Sequence, residues 1–286
     1  METRLSINDK MAIISPDQPF AVIGERINPT RRKKLAESMA LGDFSLVQED
    51  ALKQAAAGAQ ILDVNAGIPG ADEPAILRGA VQAVMEVIQV PLCFDSANPE
   101  ALKAALEIYP GKALINSTTA EENMLARVLP LAKEYSAAVI GVITDENGIP
   151  ATPEERLAVA RKLVNRAADH GIPPEDILID CLALTVGADH NAGKVTLDSM
   201  QLVRDELGVN LSLGASNVSF GLPDRKIINI AYLSLAIARG LTAAITDPTV
   251  PEIQTNLLAC DLLMGRDEYA MRWIKAYRKR APAAAK

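Results

Sequence analysis

The strongest constraint on this chain is a rhythm: eight short aliphatic runs, each closed by polar residues and followed by a longer helical stretch. The runs are Phe20 to Asn28, Ala59 to Gly67, Pro91 to Ser96 and Ala113 to Thr118. Ala137 to Asp145, Ile177 to Leu184, Asn210 to Ser219 and Leu241 to Asp247 complete the series. Near-continuous aliphatic runs suit parallel strands covered on both faces. Helix signals lie between them. Pro153 to His170 opens on the cap-like Thr-Pro-Glu-Glu, and Asn98 to Tyr109 opens on Asn-Pro-Glu-Ala. Gly58, Gly111, Gly171, Gly208 and Gly240 stand where helices should end, a place where left-handed backbone favours glycine. Eight such units over 286 residues predict an α/β fold, a single (β/α)8 TIM barrel. The competing doubly wound sheet calls for a Gly-x-Gly-x-x-Gly turn after a strand, and none is present. The chain reads as one domain over residues 1–286. Residues 1–19 form an N-terminal extension that wraps the barrel bottom or a partner, and residues from about 279 to 286 form a frayed tail.

Composition narrows the function. Hydrophobic residues reach 49% but aromatics only 3%, so the core must be aliphatic and an aromatic nucleic-acid surface is disfavoured. With 36 acids against 29 bases, the net charge of −7 argues against a non-specific nucleic-acid partner. Cys93, Cys181 and Cys260 are widely spaced without a Cys-x-x-Cys pair, which fits a reducing compartment and a cytoplasmic protein. Only His170 and His190 are available, too few for a His-rich metal site, and no metal is expected. His190 reads as a loop residue. No apolar signal core opens the chain, and no run approaches the roughly 18 apolar residues of a membrane span.

The polar residues that close the runs carry the chemistry. They are Glu25 and Asn28, Asp63 and Asn65, Asp95 and Ser96, Asn116 and Ser117, Thr144 and Asp145, Asp180, Ser216 and Asn217, and Asp247. In an α/β barrel the C-terminal strand ends surround the active-site mouth, so residues distant in sequence should converge on one pocket. Any one of them can equally be a helix cap or turn former, as Asp95-Ser96-Ala97-Asn98-Pro99 illustrates. Carboxylates and amides without His, Cys or Lys are poor material for nucleophilic or metal catalysis. They suit a planar heterocycle with adjacent N–H donors, such as the guanine-like edge of a pterin. Leaving one buried partner unpaired costs about 1–3 kcal/mol, which is how such a site rejects analogues.

The segments Ile-Gly-Glu-Arg-Ile-Asn (23–28), Leu-Asp-Val-Asn-Ala-Gly (62–67), Leu-Cys-Phe-Asp-Ser-Ala-Asn-Pro-Glu-Ala-Leu (92–102) and Ile-Asn-Ser-Thr-Thr-Ala-Glu-Glu (115–122) follow one another in order. Residues 148–157, 177–180 and 216–229 continue the series. As a set they resemble the methyltetrahydrofolate:corrinoid protein methyltransferases, within the wider pterin-binding barrel family, from about residue 20 to 270. The resemblance implies that Asp95, Asn116 and Asp180 anchor the pterin and that Asn217 lies near N5, the nitrogen bearing the methyl group. Ser216 and Arg225 are further contacts, and Glu25, Asn28, Asp63 and Asn65 hold motif positions at the mouth. Asn217, Asp95 and Asp180 are the implied catalytic group, with the proton arriving through a polar network that includes Asp95 or Asp180. The implied substrate pair is methyltetrahydrofolate and tetrahydrofolate. Cobalamin arrives on a partner corrinoid protein, because the chain has no Asp-x-His-x-x-Gly loop. Transfer can run in either direction, and a homodimer is implied.

Two positions depart from the family pattern: Cys181 follows the sixth-strand aspartate in place of proline, and Phe220 follows Ser-Asn-Val-Ser. A dihydropteroate synthase-like enzyme is the alternative. It would call for Asn-Val-Thr-Pro-Asp-Ser in the first loop, where this chain has Glu-Arg-Ile-Asn-Pro-Thr. A non-catalytic folate-binding subunit is the third reading. The basic run Arg31-Arg32-Lys33-Lys34 either steers a folate tail or an acidic partner, or forms a solvated face.

Overall fold

A computed structural model describes residues 1–280. All eight expected strands are present, and they pair in parallel. They are β3 (Ala21–Ile27), β4 (Ile61–Asn65), β5 (Leu92–Asp95), β6 (Leu114–Thr119), β7 (Ala138–Val142), β8 (Ile177–Asp180), β9 (Asn210–Ser212) and β10 (Ala243–Thr246). The ladder runs from β10 through β3 to β9. A bridge between Gly214 and Ile245 draws its two ends together, and Ile245 N–H donates to the Leu213 carbonyl at 2.9 Å. The result is the expected barrel, with a thin seam between β9 and β10.

β1 (Thr3–Ile7) and β2 (Lys10–Ile14) form an antiparallel hairpin across the barrel's N-terminal end. Leu5, Ala12 and Ile14 pack against the inward residues Ala21, Ile23, Ile61, Cys93, Leu114, Ala138, Ile140, Leu178 and Ala243. Asn210 donates to Thr3 Oγ1 at 3.0 Å and to the Ile14 carbonyl at 2.9 Å, tying the hairpin to β9. The N-terminal extension thus plugs the bottom of the barrel.

Strand residues two apart share a face, so each strand's inward series can be followed upward from the plug. It runs Ile23 then Glu25, Ile61 then Asp63 and Asn65, Cys93 then Asp95, Leu114 then Asn116, and Leu178 then Asp180. Asn65, Asp95 and Asn116 are register partners at the polar level, while β4 turns polar one inward step lower, at Asp63, the register partner of Cys93. The mouth is the upper continuation of the face that forms the inner core.

Helices α1 (Lys33–Ala40) and α2 (Ser45–Ala56) follow β3; α3 (Glu73–Val87), α4 (Pro99–Leu106), α5 (Glu122–Glu134) and α6 (Pro153–Asp169) follow β4 to β7. After β8 and β9 come α7 (Ala192–Leu207) and α8 (Arg225–Ala238), and α9 (Pro251–Leu263) and α10 (Met271–Arg280) follow β10. The Thr152–Glu155 capping box starts α6, as its sequence predicts. No described helix is long and apolar enough to cross a membrane.

Three expectations need correction. The run Asn210 to Ser219 is not one strand: β9 ends at Ser212, and Ala215–Ser219 coils into a single 3-10 turn. Helix α4 stops at Leu106, short of Tyr109. Gly111 has no left-handed backbone, unlike Gly58, Gly171, Gly208 and Gly240. Its glycine serves close approach instead, since a Cβ there would sit 2.1 Å from the Ser6 carbonyl oxygen of the plug. Of the expected frayed tail, Lys279 and Arg280 belong to α10, and 281–286 lie outside the described residues.

Candidate active site

At the C-terminal end of the strands lies a cavity of about 650 Å³ lined by Glu25, Asn28, Asp63, Asp95, Asn116, Asp180, Ser216 and Asn217. These are eight of the ten residues singled out above, supplied by six strand ends or the turns that follow them. Asn65 and Arg225 stand behind this wall. Asn65 Nδ2 donates to Asp95 Oδ2 at 2.9 Å, and the Arg225 guanidinium donates to the Ser216 carbonyl at 2.7 Å and to Ser219 Oγ at 3.0 Å. Both position residues of the wall.

The floor is a chain of carboxylates and amides. Asn116 Nδ2 donates to Asp63 Oδ1 at 3.1 Å, one register step from the Asn65–Asp95 pair. Burial and the neighbouring Asp95 push Asp63 well above the usual carboxylate range. Burial lifts Asp95 to about 6, against the lowering effect of Asn65. Asp180 is raised to about 6 by burial, opposed by the Leu182 N–H that donates to it at 2.7 Å. Glu25 reaches about 7 through burial and the nearby Asp247, with Ser216 Oγ donating at 3.3 Å. Four carboxylates therefore face one small space with amides and hydroxyls as their main partners. The arginines nearby offset burial only in part, so the charged carboxylates remain short of direct donors until a ligand brings N–H groups.

The coil after β9 explains how Asn217 reaches the rim. Its N–H donates to the Gly214 carbonyl at 3.2 Å, closing the 3-10 turn. A Cβ on Gly214 would come within 3.0 Å of Asn217 Nδ2, so glycine there leaves room for the amide. Asn217 is exposed at the mouth while its neighbours Val218 and Ser219 are buried.

Several strand-end residues do not reach the cavity. Ser96 Oγ accepts from Asn98 N–H at 2.9 Å and donates to Glu73 at 2.6 Å, as a turn former before α4. Asp145 exchanges backbone hydrogen bonds with Gly148 in a tight loop beyond β7, and Asp247 faces Arg26 Nε at 3.7 Å. Ser117 and Thr144 also lie off the cavity wall. His190 is exposed in the turn before α7, and all three cysteines are buried and unbridged.

Arg156 was not singled out from sequence. It is 2% exposed on α6 and donates to the Pro150, Cys181 and Leu182 carbonyls and to Thr196 Oγ1. It thereby props the turn that follows Asp180. An arginine inside the capped start of an amphipathic helix gives no local sign of this role. The basic run divides: Arg31 and Arg32 line the cavity with Arg26, whereas Lys33 and Lys34 are exposed.

The fold and site together are an eight-stranded parallel barrel whose mouth is lined by carboxylates, amides and arginines. The profile of the family described as "Pterin binding enzyme" matches residues 24–247, and the chain belongs to that family. The methylcorrinoid:tetrahydrofolate methyltransferase of Eubacterium limosum is 30% identical over 90% of this chain and 96% of its own. The methionine synthase of Mycobacterium leprae is 30% identical over 87% of this chain but only 23% of its own length. A solved dihydropteroate synthase of Yersinia pestis superposes with a TM-score of 0.68 over 92% of this chain and 99% of its own, at 16% identity, and shares the fold.

Proposed function

We propose that this protein moves the N5-methyl group between methyltetrahydrofolate and the cobalt of a corrinoid carried by a separate protein. The observation that carries the reading is the convergence of Asp63, Asp95, Asn116 and Asp180 on one floor with Asn217 at its rim. The floor offers acceptors to the pterin's ring N–H and amino groups, and the amides complement its carbonyl and ring nitrogens. The methylcorrinoid:tetrahydrofolate methyltransferase relative, 30% identical over 90% of this chain, favours this reading over a condensing synthase. So does a cavity wall without lysine.

A reduced corrinoid supplies the nucleophile, and N5 keeps the electron pair of the broken bond to the methyl carbon. The chain's own task is to make N5 a tolerable leaving group. Asn217 donates a hydrogen bond to N5 that strengthens as the electron pair develops, and the 3-10 turn fixes its backbone at the rim beforehand. Asp95 and Asp180, both raised to about 6, hold or pass a proton near neutral pH. The same pocket serves either direction. The three buried, unbridged cysteines suit a reducing cytoplasm.

The test is an anaerobic optical assay with purified protein, methyltetrahydrofolate and free cob(I)alamin. Loss of the cob(I)alamin band with gain of methylcobalamin is the expected result. Folate binding without conversion points to a protein-bound corrinoid requirement or to a carrier role. Absence of folate binding sinks the reading.

A further inference from the structure

The rim of the mouth holds two groups that methyl transfer at N5 does not use. Phe220 is 45% exposed, an aromatic ring left beside a polar cavity. Its backbone is pinned: Thr185 Oγ1 donates to its carbonyl at 2.7 Å, and its N–H donates to the Asn217 carbonyl at 3.1 Å. Across the mouth, Arg31 lines the same cavity as the carboxylate floor, and its guanidinium lies 4.6 Å from the Phe220 ring centroid.

Arg31 differs from the other cations of the rim. Arg26 faces Asp247 at 3.7 Å and Arg32 pairs with Asp50 at 2.6 Å, while Arg225 is spent on Ser216 and Ser219. Among the described residues, no carboxylate forms an ion pair with Arg31. Its backbone is left-handed, with φ of 59°, in a turn closed by Arg32 N–H donating to the Pro29 carbonyl at 2.9 Å. That turn directs the side chain onto Phe220. A guanidinium stacked on an aromatic ring keeps its N–H edge free for a carboxylate.

Beside the acceptors of the floor, the mouth therefore offers an uncommitted cation on the cavity wall, stacked on an exposed aromatic ring. Resting on the function proposed above, we infer that Phe220 and Arg31 form a subsite for the folate tail. The ring contacts the aminobenzoyl group, and Arg31 pairs with a glutamate carboxylate. A docked acidic protein could use Arg31 but would leave unexplained why it lines the heterocycle's own cavity.

The test is calorimetric titration of the intact protein with methyltetrahydrofolate and with tail-less 5,6-dimethyltetrahydropterin. The readout is the ratio of the two Kd values. Wild type should prefer the tailed ligand by roughly tenfold, and the preference should shrink as salt is raised. Arg31→Gln should lower the ratio roughly threefold to tenfold, with Arg31→Lys in between. Phe220→Ala should lower it too while leaving its salt dependence in place. A wild-type ratio near one overturns the inference, as does an unchanged ratio in Arg31→Gln. If that variant fails to fold, the wild-type ratio and its salt dependence decide alone. Binding of the tail-less pterin with no tail preference would leave the pterin reading standing; binding of neither ligand would overturn both.

Discussion

At the N-terminal end of the barrel, Asp261 is 1% exposed, and every acceptor it offers is used. It accepts from Phe20 N–H at 2.9 Å and from Arg272 at 2.6 Å, with Arg266 at 3.8 Å. Nearby, Lys112 Nζ reaches both Asp176 oxygens at 2.6 Å. At the opposite end, Glu25, Asp63, Asp95 and Asp180 share one cavity, and amides, hydroxyls and backbone N–H groups are their main partners. Both ends hold carboxylates on the same scaffold. The base pairs them with cations, whereas the mouth keeps them short of donors so that a ligand can complete the set. Buried charge is tolerated where it is paired and costly once one partner is removed, and where it is left short of donors it stores binding capacity.

The comparison breaks most sharply at Asp261. Asp261→Ala would leave Arg266, whose side chain is 6% exposed, buried without its counter-charge. The expected loss of stability is about 3–5 kcal/mol, read by urea unfolding, and a loss below about 1 kcal/mol would refute the account of the base. At the mouth, Asn217→Ala should lower the methyl-transfer rate on the order of a hundredfold, or about 3 kcal/mol. Folate affinity should fall far less; an equal fall in rate and affinity removes Asn217 from its place at N5.

Gly111→Ala tests the plug. The added Cβ would meet the Ser6 carbonyl at 2.1 Å and force the hairpin away. About 2 kcal/mol of destabilisation is expected, with folate affinity per folded molecule unchanged. Asp63→Asn should do the reverse, raising the stability of the ligand-free protein near pH 7.5 by about 1 kcal/mol while weakening pterin binding. Loss of stability together with binding would show that the mouth is built like the base.

The smallest effect is a pH slope. Asp95 and Asp180 titrate near 6 and Glu25 near 7, against ordinary values of 3.8, 3.8 and 4.5. Between about pH 4 and 7 the unfolded chain has released protons that the folded mouth still holds. Fewer protons on the unfolded side make stability fall as pH rises through that window. Asp180→Asn should flatten the slope in denaturant midpoints taken across it; a slope that rises instead would contradict the raised values.

The eight runs, their order and the polar residue closing each were legible in the sequence, because buried parallel strands demand aliphatic stretches and strand ends demand polar closure. The membership of Glu25, Asp63, Asp95, Asn116 and Asp180 in one pocket follows from that rhythm and barrel topology together. Other matters needed the third dimension. Ser96 and Asp145 look like Asp95 and Asp180 in sequence, but turn geometry directs them elsewhere. Asn217 reaches the rim because β9 stops at Ser212 and the chain coils, a change that hydrophobic periodicity over a few residues cannot resolve. Arg156 props the turn after Asp180 from a different helix, and Arg31 meets Phe220 across the mouth from a distant loop. Residue type and local spacing are written along the chain, so they determined the barrel and the chemistry of its strand ends. Which charges find partners depends on contacts between segments far apart in sequence, so only the tertiary structure decided which end is paired and which is left ready to bind.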